Sequence, residues 1–247
     1  MLRIYHTSDL HDHRGFVPRL QALRLARPGL LFDCGDSLRG SQTAYRRTEP
    51  IVAELAEAGY DAQSIGNREF HYLRALLCAR ARTMNYPLVC TNLRDVRGRE
   101  LPFARSLRFT ISDGADGSHV VHVLGLLIMQ YPAGSPWERV FGWRFLDPWD
   151  AVAPYAAQVP EGDALVVLSH LGLSLDEKLA RRVPRIDLLL GGHSHDTLAQ
   201  PRYVNEVPIV HGGPYGKFVS RSELEFAPNR GRFAVRDFAL LPLLENQ

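Results

Sequence analysis

Cysteine is scarce: the 247-residue chain holds three, Cys34, Cys78 and Cys90. Three thiols build no disulfide framework, and the odd count suits a reducing compartment. Long apolar runs are missing as well. The stretch 120–129 is interrupted and 165–168 is short, so neither approaches the ~20 residues of a transmembrane span. Residues 1–6 lead straight into a polar segment with no apolar stretch, so no secretory signal is expected. A P-loop, a dinucleotide fingerprint and a Gly-x-Ser-x-Gly elbow are all absent, which removes the commonest nucleotide-cradling and serine-nucleophile readings. Neither sign of charge dominates: 29 basic and 27 acidic residues leave a net charge of +2. With 45% apolar and 23% charged residues the chain can bury a core unaided. These absences predict a cytoplasmic protein without a membrane span, folded as one domain over residues 1–247.

Short apolar runs alternate with helical spacing, the pattern of a layered α/β protein. Strands are predicted at 2–7, 30–34, 62–65 and 86–91, with helices at 16–25, 51–58 and 73–84 between them. From residue 106 the texture changes. Residues 107–112 and 119–128 flank Asp113-Gly114-Ala115-Asp116-Gly117 and read as a hairpin. Residues 131–145 read as an aromatic loop. A helix at 150–158, a strand at 164–169, a helix at 175–182 and a strand at 186–190 follow. Closing strands are expected at 207–211, 218–226 and 232–240, the last two joined by a turn at Asn229-Arg230-Gly231.

Polar, metal-competent residues recur where apolar strands end: Asp9 and His11, Asp36, Asn67, His170, then His193 and His195. In a sheet covered by helices, the carboxyl ends of strands share one rim, where ligands bind. Imidazole, carboxylate and amide suit first-row divalent metals. Seven such groups exceed what one ion needs and fit two ions sharing a carboxylate. Taken singly, each has an ordinary explanation: a turn after a strand for Asp9 and His11, a cap for Gly35-Asp36, a left-handed turn for Asn67, a satisfied strand-end imidazole for His170. Gly192-His193-Ser194-His195 is the least ordinary, because two histidines two residues apart in a glycine loop can chelate. The order of all five segments together points to a metal site.

With those residues in place, the sequence resembles the calcineurin-like metallophosphoesterases, and within them the catalytic domain of the 5′-nucleotidase and 2′,3′-cyclic-nucleotide phosphodiesterase group. The likeness rests on Ser8-Asp9-Leu10-His11, Gly35-Asp36 with Gly40-Ser41, Gly66-Asn67-Arg68-Glu69-Phe70, Ser169-His170 and Gly192-His193-Ser194-His195, and extends to 208–216. It implies an α/β fold, a four-layer αββα sandwich of two packed mixed β-sheets flanked by helices. It also implies two divalent ions (Mn, Fe, Zn, Co or Ni), one held by Asp9, His11 and His195, the other by Asn67, His170 and His193, with Asp36 bridging. The implied chemistry is hydrolysis of a phosphomonoester or phosphodiester by a metal-bridging hydroxide. Nucleotides, cyclic nucleotides or another small phosphoester are the implied substrates.

Two departures sharpen the expectation. The family's Asn-His pair is Asn67-Arg68 here. Arg68 brings charge to phosphoryl oxygens but stays protonated and cannot serve as a general acid near neutral pH; its ordinary reading is a surface partner for Glu69. His71, three residues on, is the candidate replacement imidazole. The group's C-terminal nucleobase-gripping domain is not in this sequence, so Trp137, Trp143, Trp149, Tyr131 and Phe141 are either a substitute stacking surface or plain packing. His13 and His211 are candidates for orienting a ligand or touching substrate. Nine arginines against three acids between Arg68 and Arg108 form either a solvated face or an anion-attracting rim. A homodimer stays open and a membrane partner is not expected. A nuclease of the same superfamily would need a basic track that +2 does not suggest. A catalytically silent metal scaffold is the other alternative.

Overall fold

The protein, described by a computed structural model over residues 1–112 and 118–244, is built on two six-stranded sheets. The expected turn at 113–117 lies outside the described residues. In the first sheet the order is β14 (Arg232–Pro242), β13 (Phe218–Ala227), β1 (Leu2–Thr7), β2 (Leu30–Asp33), β3 (Ala62–Ser64) and β4 (Leu88–Val89). In the second it is β11 (Arg202–Val204), β12 (Val207–His211), β10 (Leu188–Gly191), β9 (Ala164–His170), β7 (Ser118–Leu127) and β6 (Leu107–Ser112). Both are mixed. Strands β1 to β4 run parallel, as do β7, β9, β10 and β12, with antiparallel pairs at the margins.

Alternation along the strands explains the layers. On β9, Ala164, Val166 and Leu168 point between the sheets beside Ile4 and Phe32, while Leu165 and Val167 face the other way onto Val152 and Leu179. A strand buried on both faces must be apolar nearly throughout. Helices α1 (Val17–Ala26), α2 (Ile51–Ala58) and α3 (Arg74–Ala81) cover the outer face of the first sheet with Leu20, Leu55 and Leu77. Helices α5 (Pro148–Ala156) and α6 (Leu173–Arg182) cover the second. The result is helix, sheet, sheet, helix, the expected sandwich. Gly59, at φ +68°, ends α2 in the left-handed conformation that glycine adopts at low cost.

The segment 131–145 departs from its reading as a loop. It forms α4 (Pro136–Phe141), closed by Gly142, and β8 (Trp143–Phe145), which pairs with β5 (Leu93–Asp95) in a small third sheet. Pro136 presets the first turn, and the buried rings of Trp143 and Phe145 anchor the strand. Among the described residues no helix is long and apolar enough to cross a membrane.

Candidate metal centre

Parallel strands in each sheet aim their carboxyl ends at a common edge. There β1 leads to Asp9 and His11, β2 to Asp36, β3 to Asn67, and β10 to His193 and His195, while β9 ends at His170. Two sheets, not one, therefore supply the rim. Contacts cross between them: His170 Nε2 lies 3.3 Å from Asp36 Oδ1, and the His193 N–H points at both Asp9 oxygens, 3.0 and 3.1 Å away.

The loops are held in costly backbone conformations. Asp9, His11, Asp12, Asp36, His193 and His195 all have φ between 48° and 75°. Non-glycine residues at positive φ are uncommon, and such strain, about 1–3 kcal/mol each, gathers at functional sites. Two glycines make the turns possible by proximity. A Cβ on Gly66 would strike the Asp36 backbone nitrogen, and one on Gly192 would sit 2.9 Å from Asp9 Oδ2.

Potential ligand atoms fall into two groups. Those of Asp9, His11 and His195 lie within 4.8 Å of one another, as do those of Asp9, Asp36 and His170. His11 Nε2 and His195 Nε2 are 3.0 Å apart, two imidazole nitrogens converging on one point. Next to the second group, the rings of His170 and His193 meet edge to face at 5.0 Å, and Asn67 Nδ2 is 3.5 Å from His193 Nδ1. Asp9 belongs to both groups and Asp36 to one. These residues fit divalent ions: the donors are nitrogen and oxygen, they converge, and His170 Nδ1 is engaged by the Cys34 carbonyl at 2.7 Å, leaving Nε2 toward Asp36.

Charge is finely balanced. Burial alone would push the His170 imidazolium down, but the Asp36 carboxylate beside it raises its pKa to about 9. Burial would raise Asp36, yet His170 and the Arg68 N–H, 2.7 Å from Oδ1, hold it well below the usual carboxylate range. Burial raises Asp9 and lowers both His193 and His11, the last to about 4. Neutral imidazole is the form that binds a metal.

Glu69, part of the Gly66–Phe70 motif and the ordinary partner expected for Arg68, proves central to the scaffold. Glu69 is fully buried, and its carboxylate accepts the N–H groups of Asp36 (2.8 Å), Ser37 (2.9 Å), Leu38 (3.3 Å) and Gly66 (2.9 Å). It does not pair with Arg68. Buried Arg80 donates to the carbonyls of Phe70 (2.7 Å), Ala44 (2.8 Å) and Ser41 (2.9 Å), pinning the same region from behind. Below them Asp33 accepts from Thr7, Gly35, Ser37 and Gln63, and burial raises its pKa to about 7. Nothing in the spacing of Glu69 or Asp33 signals these roles, because their donors are set by loop geometry. Tyr215, also at positive φ, donates its N–H to the Asp9 carbonyl and sets its ring 5.4 Å from His195.

Other candidates stand further out. Arg68 Nη1 donates to the carbonyls of Arg39 (3.1 Å) and Gly40 (3.4 Å), and its charge lowers the His11 pKa behind the effects of burial and Asp36. His71 accepts the Leu73 N–H at 3.0 Å and lies near Arg80 and the Thr43 backbone. Exposed His13 packs 4.6 Å from the Tyr215 ring. Buried His211 pairs through Nε2 with Asp176 at 2.8 Å, and Asp176 also holds Ser169, the neighbour of His170. His211 thus stands behind the rim. The five aromatics divide: Trp143 and Tyr131 are buried, Trp149 stacks under Arg182 at 4.0 Å, and Trp137 and Phe141 form an outer surface.

The sequence matches the calcineurin-like phosphoesterase family over residues 2–197. The chain belongs to that family. A metallophosphoesterase of uncharacterised role from Bacillus subtilis, YunD, is 29% identical over 236 residues, covering 90% of this chain and 50% of that protein. The 5′-nucleotidase of Rattus norvegicus is 25% identical, covering 91% of this chain and 46% of its own length. This calcineurin-like phosphoesterase thus spans about half the length of the curated relatives it matches. Among solved structures, a putative 5′-nucleotidase from Staphylococcus aureus superposes with a TM-score of 0.79 at 19% identity, over 100% of this chain and 55% of that one. The YfkN phosphoesterase of Bacillus subtilis gives 0.74 at 19% identity, over 98% and 90%. Those likenesses show the shared fold. Family membership implies divalent metal ions, and the two ligand groups are where the described residues would hold them.

Proposed function

We propose that this calcineurin-like phosphoesterase hydrolyses a small phosphoester with two divalent ions. The observation carrying the reading is the pair of ligand groups, each drawn from both sheets, that share Asp9. Asp9, His11 and His195 would hold one ion; Asn67, His170 and His193 would hold the other. Asp36 is assigned the shared position, because its charge acts on His11, His170 and His193 alike. Divalent ions so held supply two things: a lowered pKa for a coordinated water and charge to offset the phosphoryl oxygens.

The chain's own groups do the rest. Asn67 can turn its amide to a non-bridging oxygen of the ester. Arg68, one Nη held by loop carbonyls, retains its other donors for the same phosphoryl group. No imidazole occupies the position of Arg68, so the site favours esters whose leaving oxygen needs no proton, such as aryl esters or strained cyclic diesters. The 5′-nucleotidases among its relatives support a nucleotide as one candidate substrate. Hydrolysis of p-nitrophenyl phosphate, its bis ester, nucleoside monophosphates and 2′,3′-cyclic nucleotides, measured with added Mn²⁺, tests the reading. At least one ester should turn over and chelation should abolish it; no turnover by fully metal-loaded protein would leave the silent scaffold. Arg68→Ala should lower kcat by ~10²-fold with metals retained, as loss of a well-placed donor does. An unchanged rate on every ester would remove Arg68 from the chemistry.

A further inference from the structure

A cavity of about 240 Å³ is lined by Tyr72, Gln130, Tyr131, Trp137 and Phe141, and Gln130 links it to Asn67. Four of its five walls are aromatic, and the rings share an orientation. Phe141 stacks on Tyr72 at 4.6 Å and 24° and on Trp137 at 5.6 Å and 17°, with Tyr131 tilted 28° from it. The backs of these rings are fixed from the core. The Tyr131 hydroxyl donates to the Trp143 carbonyl (2.8 Å), and the Trp143 indole donates to the Tyr72 carbonyl (2.9 Å). The front is open: Trp137 is 53% exposed, and Met129 and Val140 in the same segment are exposed too. Large apolar side chains clustered on a surface mark a binding site more often than chance packing.

The fifth wall ties the cavity to the chemistry. Gln130 donates from Nε2 to Asn67 Oδ1 at 2.9 Å and to the Ile128 carbonyl at 2.9 Å. One side chain therefore separates the aromatic wall from a residue of the rim. We infer that this cavity receives the planar aromatic ring of the ester's alcohol portion while the phosphoryl group sits at Asn67 and His193. The inference rests on the phosphoesterase reading. A volume below the about 300–1,000 Å³ of drug-sized pockets suits one flat ring system. The four rings contact one another, with centroids 4.6–6.4 Å apart, so an incoming ring stacks on their open face, through its π face and with little regard for its edge. Either a nucleobase carried on a ribose or an aryl ring joined directly to the ester oxygen has that chemistry.

The test compares kcat/KM for phenyl phosphate, adenosine 5′-monophosphate and glycerol phosphate in the Mn²⁺-loaded wild type, Trp137→Ala and Trp137→Phe. The ring-bearing esters should be preferred. Trp137→Ala should cut that preference roughly tenfold, through KM, and Trp137→Phe should restore most of it. A loss confined to phenyl phosphate identifies a directly attached ring; a loss confined to the nucleotide identifies a base. Binding is read separately by quenching of Trp137 emission with adenosine or phenol, taken as the difference between wild type and Trp137→Phe. Quenching in a protein inert to every ester would sink the hydrolase reading and still support the cavity. An unaltered preference in Trp137→Ala, or no quenching by either ring, would overturn the inference. So would a concentration-dependent dimer that Trp137→Ala dissociates, since a second copy would then be the occupant.

Discussion

Loops leaving the first sheet supply both carboxylates, an amide and one imidazole (Asp9, Asp36, Asn67, His11), whereas loops leaving the second supply three imidazoles and no acid. The two halves are also fastened differently. On the first sheet, loop is bound to loop: the N–H groups of Asp9, His11 and Asp12 donate to the carbonyls of Gly35, Asp36 and Ser37, and Glu69 gathers four more N–H groups. On the second, the glycine turn carrying His193 and His195 is held by the Gly192 N–H to the Ser169 carbonyl, the Ser194 N–H to the Gly192 carbonyl, the Leu173 N–H to Ser194 Oγ and the reach of His193 to Asp9. Both carboxylates thus sit on a cross-braced frame and three of the four imidazoles on a lighter one. The bracing keeps Asp9 close to Asp36, whose charge adds to burial in raising the Asp9 pKa, while His170 offsets part of that repulsion.

The charged half should be the more sensitive. Asp36→Asn keeps an oxygen to accept the Arg68 N–H, so the fold should survive, but it removes the charge that faces three imidazoles. Hydrolysis should fall by ~10³-fold or more and metal content should drop. Two retained ions per chain with near-normal turnover would move the shared position to Asp9, which already belongs to both groups.

The bracing itself is tested next. Glu69→Gln turns an amide toward backbone donors and leaves at least one buried N–H without an acceptor. A loss of about 2–4 kcal/mol is expected in urea unfolding, with weaker metal binding, although Glu69 touches no proposed ligand atom except through the backbone of Asp36. If both stability and metal content match the wild type, the contrast between the halves fails. On the lighter side, His195→Ala and His193→Ala should each leave roughly one ion per chain, since each removes one donor from a different proposed ligand set. A variant losing both ions would show that the second sheet holds the site together as tightly as the first.

Much of this was legible in the order of residues. Asp9, Asp36, Asn67, His170, His193 and His195 could be placed at strand ends because each follows an apolar run broken by a polar or glycine residue. The frame was not legible. Glu69 and Arg80 act on backbone atoms far along the chain, and only the folded loops bring those atoms to them. Helix α4 escaped for a related reason: six residues among prolines, glycine and aromatics carry no period, and tertiary packing rather than propensity makes the helix. His71 stood out as an imidazole at short range from Arg68, but distance along a loop says nothing of direction, and its ring turns to Leu73.

An effect absent at neutral pH and confined to acid is expected on the first sheet, where His6 on β1 touches Ser220 Oγ at 3.0 Å and lies close to buried His211. Burial, helped by His211, lowers the His6 pKa to about 3 from an ordinary 6.5. The unfolded chain therefore takes up a proton below pH 6.5 that the folded protein refuses until about pH 3. The stabilising contribution is complete above pH 6.5 and declines as pH falls toward 3, at ~1.4 kcal/mol per pH unit for one proton. His6→Gln keeps a partner for Ser220 and cannot titrate. Urea unfolding of wild type and variant across pH 4 to 8 should give a stability difference that is flat above 6.5 and closes by that slope below it. The carboxyls raised by burial, Asp33 among them, act in the opposite sense and lose stability as pH climbs through about 7, but they are common to both proteins and cancel in the difference. A difference that stays constant down to pH 4 would mean that folding does not lower the His6 pKa, with Ser220 Oγ accepting a hydrogen bond from the imidazolium.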